Sequence, residues 1–95
     1  MAKLIQVDIV SATSAVWSGE AVQVSAKTQI GEIGILAGHE PVLAILASGT
    51  VRVTTESGEK IIVAADEGFI SFDHDTLTIV AAEAAITESN DPVLH

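Results

Sequence analysis

The 95-residue sequence contains no cysteine. It can therefore form no disulfide framework and no thiolate metal site, and it offers no thiol nucleophile. Basic residues are also scarce, because four Lys and Arg stand against thirteen Asp and Glu and the formal net charge is -9. The phosphates of nucleic acids and anionic lipid headgroups repel such a surface. We therefore expect partners with basic or apolar surfaces, and no nucleic acid among them.

Long apolar runs are missing as well. No stretch approaches the ~18 apolar residues that a membrane-spanning helix needs, and the N-terminus lacks the pattern of a signal peptide. We expect a soluble chain with no direct insertion into lipid. Although the aromatic residues are only one tryptophan and two phenylalanines, 48% of the residues are hydrophobic. Most of these are Val, Ile, Leu and Ala, which favours a single β-rich domain with a core over a disordered chain.

Alternating apolar and polar residues predict half-buried strands. The apolar positions are Ile5, Val7, Ile9, Val22, Val24, Ala26, Val51, Val53, Ile61, Val63, Ala65, Leu77, Ile79 and Ala81. Turn-forming residues separate these runs at 56–59, 66–68 and 73–75, and the connections are too short for crossover helices. Segment 41–47 fits a helical turn or a strand, and the β-rich context favours the strand.

These patterns predict an all-β fold. We expect a β-sandwich of two antiparallel sheets with about ten short strands, because turn signals recur every ~8 to 12 residues. The predicted sandwich domain occupies residues 1–86, and a short polar C-terminal tail occupies residues 87–95.

The sequence shows little sign of chemistry. The glycines of segment 31–38 lack the spacing of a dinucleotide-binding turn, and no Gly-x-Ser-x-Gly nucleophile motif is present. Segment 73–75, Asp-His-Asp, is typical of a tight turn, which we favour over a metal site. We therefore predict no catalytic residue, no cofactor and no metal. An alternative hypothesis is a metal-binding enzyme that uses His39, Glu40 and His74.

Segment 31–43, GEIGILAGHEPVL, is the most informative stretch. Three glycines, a proline and two acids interrupt an apolar run, and core strands do not need them. Glycine serves where φ is positive or another chain approaches closely, and proline serves at an edge or a turn. We interpret the segment as a surface, with His39 exposed on a turn in contact with a partner. Trp17 is interpreted as closing one end of the sandwich.

These residues resemble the N-terminal β-sandwich domain of the epsilon subunits of F-type ATP synthases. The resemblance covers nearly the whole chain. Its most specific part is the spacing Gly-Glu-x-Gly-x-x-x-Gly-His-x-Pro-x-Leu over residues 31–43. Further matching segments are VDIVSA at 7–12, VWSG at 16–19, GTVRV at 49–53, Gly68-Phe69, and VAAE at 80–83.

The resemblance implies a non-catalytic subunit of the central stalk, or rotor, that helps couple proton flow to ATP synthesis. Members bind the gamma subunit and contact the ring of membrane c subunits. Their remaining partners are the other subunits of the ATP synthase complex. Glu32 matches the family's acidic residue that faces the polar loops of the c ring. These loops commonly present arginine, so a charge-assisted hydrogen bond is expected there.

The resemblance also implies a gamma-facing surface. Ser11 and His39 match positions that lie against gamma, and Pro41, Val42 and Leu43 lie on or beside that apolar surface. We expect a location peripheral to an energy-transducing membrane, at the cytoplasmic face of a bacterial plasma membrane.

The sequence departs from the family pattern at two places. Ala37 replaces the proline before Gly38-His39, which removes a conformational restraint from that turn. The two C-terminal helices of most members, which inhibit ATP hydrolysis and in some members bind ATP, have no counterpart here. We therefore expect neither function of this polypeptide. The alternative is a free-standing β-sandwich interaction or adhesion domain, which leaves the spacing of segment 31–43 unexplained.

Overall fold

The computed structural model describes residues 3–90, and it describes side chains up to residue 87. These residues form ten strands and no helix, as the sequence patterns predict. The strands are β1 Ile5–Ser11, β2 Ala15–Ala21, β3 Gln23–Thr28, β4 Gly31–Leu36, β5 Val42–Leu46, β6 Gly49–Thr54, β7 Lys60–Ala65, β8 Gly68–Asp73, β9 Thr76–Ala81 and β10 Ala84–Asn90. Segment 41–47 is therefore a strand, β5, and not a helical turn.

The strands form a curved, nearly closed sandwich. Their order is β10-β7-β6-β3-β5-β8-β9-β1-β2, with β4 paired to β3, and β2 also contacts β10. Neighbouring strands are antiparallel except for β1 and β9, which pair in parallel from Gln6 and Thr76 to Ser11 and Ala81. The parallel pair needs no crossover helix of its own, because β1 and β9 lie far apart in the sequence and the intervening strands connect them. The sandwich fold is as predicted, and this parallel pair is an additional feature.

The predicted alternation places one side of each strand in a common core. Ile5, Val7 and Ile9 are fully buried on β1, and Leu77 and Ile79 face them from β9. Each large aliphatic side chain removed from water in this way contributes about 1.5–3 kcal/mol. The other buried hydrophobic residues are Ala21, Val24, Ala26, Ile35, Leu46, Val51, Val53, Ile61, Val63, Ala65, Ile70, Phe72 and Ala81.

The hairpin between β8 and β9 has a two-residue turn made of His74 and Asp75. Both residues have positive φ, 50° and 56°. Two positive φ values match the twist of an antiparallel pair, and Asn, Asp and Gly tolerate them best. The prediction that segment 73–75 is a turn is therefore confirmed.

Two close contacts explain particular residues. A Cβ atom on Gly68 would lie 1.8 Å from the backbone oxygen of Val80, so only glycine fits where β8 meets β9. Trp17 pairs with Ile9 across β1 and β2, packs against the core and lies over Gly19. Trp17 thus packs against the core from the edge strand β2, and its predicted role of closing one end of the sandwich stays a prediction.

The last strand bears on the predicted domain boundary. β10 pairs with β7 as far as Asn90 opposite Lys60. The boundary predicted at residue 86 falls inside this strand. The part of the predicted tail at residues 91–95 lies outside the described residues, so the division into domain and tail stays a prediction.

Candidate docking surfaces

Glu32 lies next to a tight turn on β4. The hydroxyl of the buried Thr28 donates to the carbonyl of Gly31 at 2.6 Å and accepts the N–H of Ile30 at 3.3 Å. Gly31 has φ 123°, which an L side chain rarely adopts. The turn therefore starts β4 in a fixed register, with Glu32 opposite Lys27.

The Glu32 carboxylate faces away from the core. Glu32 Oε1 lies 3.7 Å from Arg52 Nη1, and the two side chains are 66% and 60% exposed. Among the described strands, β4 pairs only with β3, so Glu32 stands on an edge strand that a partner can reach. The arrangement presents an accessible negative charge.

His39 lies in the loop between β4 and β5. Gly38 precedes it with φ 87°, and the His39 N–H donates to the Leu36 carbonyl at 3.1 Å. The exposed imidazole packs edge-on against the Phe72 ring, with centroids 6.0 Å apart, and its Nδ1 lies 2.7 Å from the Glu40 carbonyl oxygen. These contacts orient the ring above the start of β5.

The β5 residues point in opposite directions. Val42 is half-buried and pairs with the buried Phe72, whereas Leu43 is 78% exposed on the outer face. Pro41 is exposed and leads into this strand. The structure thus brings His39, Pro41, Val42 and Leu43 to one end of β5, but Val42 contributes mainly to the core.

The outer face of β5 carries more exposed apolar residues than the sequence reasoning named. Ile45 and Phe69 are exposed and pair across β5 and β8, and with Leu43 and Ala44 they line a shallow apolar depression. We call Leu43, Ile45 and Phe69 the apolar patch. The sequence signal for this patch was the run of apolar residues at 42–46. A strand whose two faces are both apolar is usually buried on both faces, so the outer face of such a strand indicates a contact with another surface.

Ser11 lies apart from His39. In the register of the sheet, Ser11 is level with Ala81, Gly68 and Leu46, at the opposite end of β5 from Val42. The Ser11 hydroxyl is already engaged in the turn between β1 and β2, where it accepts the Ser14 N–H at 3.2 Å. Ser11 and His39 therefore do not form one compact site.

Ile30 was missed entirely by the sequence reasoning. It occupies the tip of the turn between β3 and β4, is 93% exposed, and lines a second depression together with Leu43 and Ile45. The available signal in the sequence was a large aliphatic residue between the polar Gln29 and Gly31, a glycine typical of a turn, where a side chain is usually exposed. The turn that starts the Glu32 strand thus borders the apolar patch.

The described residues give no support to the alternative of a metal site made of His39, Glu40 and His74. Within residues 3–90, no group of three or more His, Asp or Glu side chains lies close enough to hold a metal ion. His74 instead pairs with its neighbour Asp73, with Nδ1 and Oδ1 3.0 Å apart. The described part of the chain also contains no helix that could cross a membrane.

Comparison with known proteins gives consistent matches along the chain. The family model of the ATP synthase delta/epsilon chain β-sandwich domain matches residues 4–87. The ATP synthase epsilon chain of Streptomyces griseus subsp. griseus is 43% identical over 91 residues, which are 96% of this chain and 73% of that protein. The ATP synthase epsilon chain of Micrococcus luteus is 47% identical over 85 residues, which are 90% of this chain and 93% of that protein.

Solved structures show the same fold. A chain of the Euglena gracilis mitochondrial ATP synthase, in a structure of OSCP, F1 and c-ring in rotational state 1, superposes with a TM-score of 0.82 at 26% identity. The match covers 90% of this chain and 54% of that one.

A second solved structure adds support for the fold alone. A chain of the central stalk and c-ring of the Tetrahymena thermophila mitochondrial ATP synthase has a TM-score of 0.67 at 15% identity, over 83% of this chain and 63% of that one. This chain thus spans less than two thirds of either structural neighbour. The match over residues 4–87 and the identities of 43% and 47% show that the chain belongs to the ATP synthase epsilon chain family, whose β-sandwich domain it forms.

Proposed function

We propose that this domain is a non-catalytic rotor part of a proton-translocating F-type ATP synthase, where it links the gamma subunit to the c ring and supports coupling of proton flow to ATP synthesis. The observation that carries the proposal is the exposed apolar patch on β5 and β8, with Leu43 78% exposed. Exposed apolar patches mark contact surfaces, because leaving them in water is unfavourable.

The gamma-binding surface would extend beyond the residues that the sequence suggested. Ile45 pairs with Phe69, Phe69 with Val80, and Val80 with Val10, so these four side chains form an apolar row across the outer face of β5, β8, β9 and β1. The row ends at Val10. Ser11 follows Val10 in the chain but pairs with the buried Ala81, on the other face of the sheet, so the apolar row does not connect the Ser11 side chain to Leu43.

The c-ring contact would use a different chemistry. Glu32 presents a carboxylate on an edge strand, and its partner Arg52 is exposed enough to be replaced. A guanidinium from a polar loop of the c ring could take the place of Arg52 and form a charge-assisted hydrogen bond. Glu32 thus contributes orientation and specificity, whereas the apolar patch contributes most of the buried area.

A rotor part has to transmit force without making or breaking a covalent bond. The close-packed core of the sandwich deforms little under load, which suits that task. The proposed location follows from the proposed partners. The domain would lie at the surface of an energy-transducing membrane, at the cytoplasmic face of a bacterial plasma membrane, in contact with the c ring and not with lipid.

The test compares two substitutions against two binding partners. Glu32→Lys should weaken binding to the isolated c ring and leave gamma affinity nearly unchanged. Leu43→Asp should do the reverse, because an unpaired charge buried at an apolar contact is costly. Affinities for gamma and for the c ring would be measured by calorimetry.

Matched controls use exposed residues away from both surfaces. Glu56→Lys makes the same charge change in the turn between β6 and β7, and Ile86→Asp makes a comparable change on β10. Both should bind like the unmodified domain. Equal losses of gamma affinity for Glu32→Lys and Leu43→Asp would refute the division into two surfaces.

A further inference from the structure

Asp75 connects three segments that are distant in sequence. It is the second residue of the turn between β8 and β9, and its backbone carbonyl accepts the Gln6 N–H at 2.9 Å. Its carboxylate Oδ1 accepts the Gly38 N–H at 2.8 Å. Asp75 thus joins the start of β1 and the loop before β5 to its own turn.

The bond to Gly38 acts on the loop that carries His39. Gly38 has φ 87°, a conformation that costs glycine little and that the free chain leaves easily. Ala37 precedes it where proline would restrict the backbone, so the loop lacks that restraint. The Asp75 carboxylate supplies a restraint from outside the loop, since a charged acceptor forms a stronger hydrogen bond than a neutral one.

The carboxylate is not needed to build its own turn. The turn requires positive φ at positions 74 and 75, and glycine or asparagine satisfies this at least as well as aspartate. His74 has the same kind of backbone conformation, but its side chain pairs with Asp73 within its own turn. The cross-loop bond is therefore a separate property of the Asp75 side chain.

We propose that Asp75 is a positioning residue that holds the His39 loop in its binding geometry for gamma. This inference rests on the proposed function. A fixed loop binds with a smaller loss of conformational entropy than a mobile one, so the bond between Asp75 and Gly38 raises gamma affinity without touching gamma. The inference concerns gamma alone, because Glu32 is held by its own turn.

The first measurement tests the restraint in the free domain. Asp75→Gly keeps the turn and deletes the acceptor, Asp75→Asn keeps both the turn and an acceptor oxygen, and His74→Gly changes the same turn without touching Gly38. NMR of the Gly38 amide should show faster hydrogen exchange and a large shift change in Asp75→Gly, intermediate values in Asp75→Asn, whose acceptor is neutral, and near-normal values in His74→Gly. An unchanged Gly38 amide in Asp75→Gly would overturn the proposal.

The second measurement tests the consequence for binding. Gamma affinity should fall about fivefold in Asp75→Gly and stay within about twofold in Asp75→Asn and His74→Gly. Affinity for the c ring should be the same in all three variants. A freed Gly38 amide with unchanged gamma affinity would overturn the positioning role. Absence of gamma binding by the unmodified domain would overturn the proposed function and this role with it, whereas the exchange rates would still report the restraint.

Discussion

Arg52 Nη1 lies 3.7 Å from Glu32 Oε1, and the strand β3 runs between the strands that carry the two residues. Both side chains are well over half exposed. Exposed ion pairs of this kind stabilise a protein by about 0–1 kcal/mol, because water and salt screen them and two long side chains lose freedom. The pair therefore holds the Glu32 carboxylate loosely in the free domain.

Removal of Arg52 should have little effect on folding and should favour docking. Arg52→Gln is expected to change the free energy of unfolding by less than about 1 kcal/mol. It should also raise c-ring affinity slightly, since Glu32 loses its competing partner. Urea denaturation and calorimetry measure the two effects, and Lys60→Gln removes a positive charge nearby as the control. Weaker c-ring binding by Arg52→Gln would contradict the exchange of partners.

Gly34 is a glycine that the free domain does not need. Its φ is ordinary, and a Cβ atom there would meet only Gln23 Nε2, at 4.0 Å. Valine suits a strand better than glycine, by about 0.5–1 kcal/mol, so Gly34→Val should unfold at the same or a higher urea concentration. The side chain at position 34 lies on the same face as Glu32, so the added bulk should weaken c-ring binding.

The control for Gly34→Val is Thr50→Val, an exposed position on β6. Thr50→Val should leave c-ring affinity unchanged. Gly34→Val with normal c-ring affinity would show that no partner approaches β4 closely.

The sequence predicted which side chains face the core better than it predicted which strands are neighbours. Val7 and Ile79 were assigned inward by alternation, and both are fully buried. The parallel register of β1 and β9, which places Val7 opposite Leu77 and Ile9 opposite Ile79, was not predicted, because period-2 alternation fixes the face of a strand but not its partner.

The docking surfaces show the same limit. Glu32 was identified from its motif. Its contact with Arg52 could not be predicted, because it depends on β3 pairing with both β4 and β6. Phe69 was assigned only to a matching segment, because a lone aromatic after a glycine does not reveal whether it faces the core or solvent. Only the pairing of Phe69 with Ile45 shows that both belong to one exposed patch.

Gly68 should tolerate no side chain. A Cβ atom would lie 1.8 Å from the Val80 oxygen and 2.7 Å from the Ala81 Cα, and both are backbone atoms that the sheet holds in place. Gly68→Ala should therefore lower the free energy of unfolding by about 2 kcal/mol or more. Gly49→Ala is the control, because its Cβ would meet only Lys27 side-chain atoms at 3.6 Å and beyond. Equal stability of the two variants in urea would contradict the close approach of β8 and β9.

Asp66 should contribute to the stability of the fold toward acid. The Ser48 hydroxyl and the Glu67 N–H donate to its carboxylate and lower the pKa of Asp66 below its usual 3.8. Because the folded chain prefers the ionised form, this contribution is present above the usual pKa and is lost as the pH falls through the lowered one. Ser48→Ala removes the larger cause, so its acid unfolding should begin at a higher pH.

Circular dichroism during acid titration measures this effect. Ser57→Ala, in the exposed turn between β6 and β7, should unfold like the unmodified domain. An unchanged acid midpoint for Ser48→Ala would show that the hydrogen bond to Asp66 is not retained in solution.

The most direct test of the rotor role is calorimetric titration of the domain with the gamma subunit of its own synthase. We predict a saturable complex with one domain per gamma subunit, and a large loss of affinity for Leu43→Asp but not for Ile86→Asp. No complex with gamma, or a complex that Leu43→Asp forms as tightly as the unmodified domain, would contradict it.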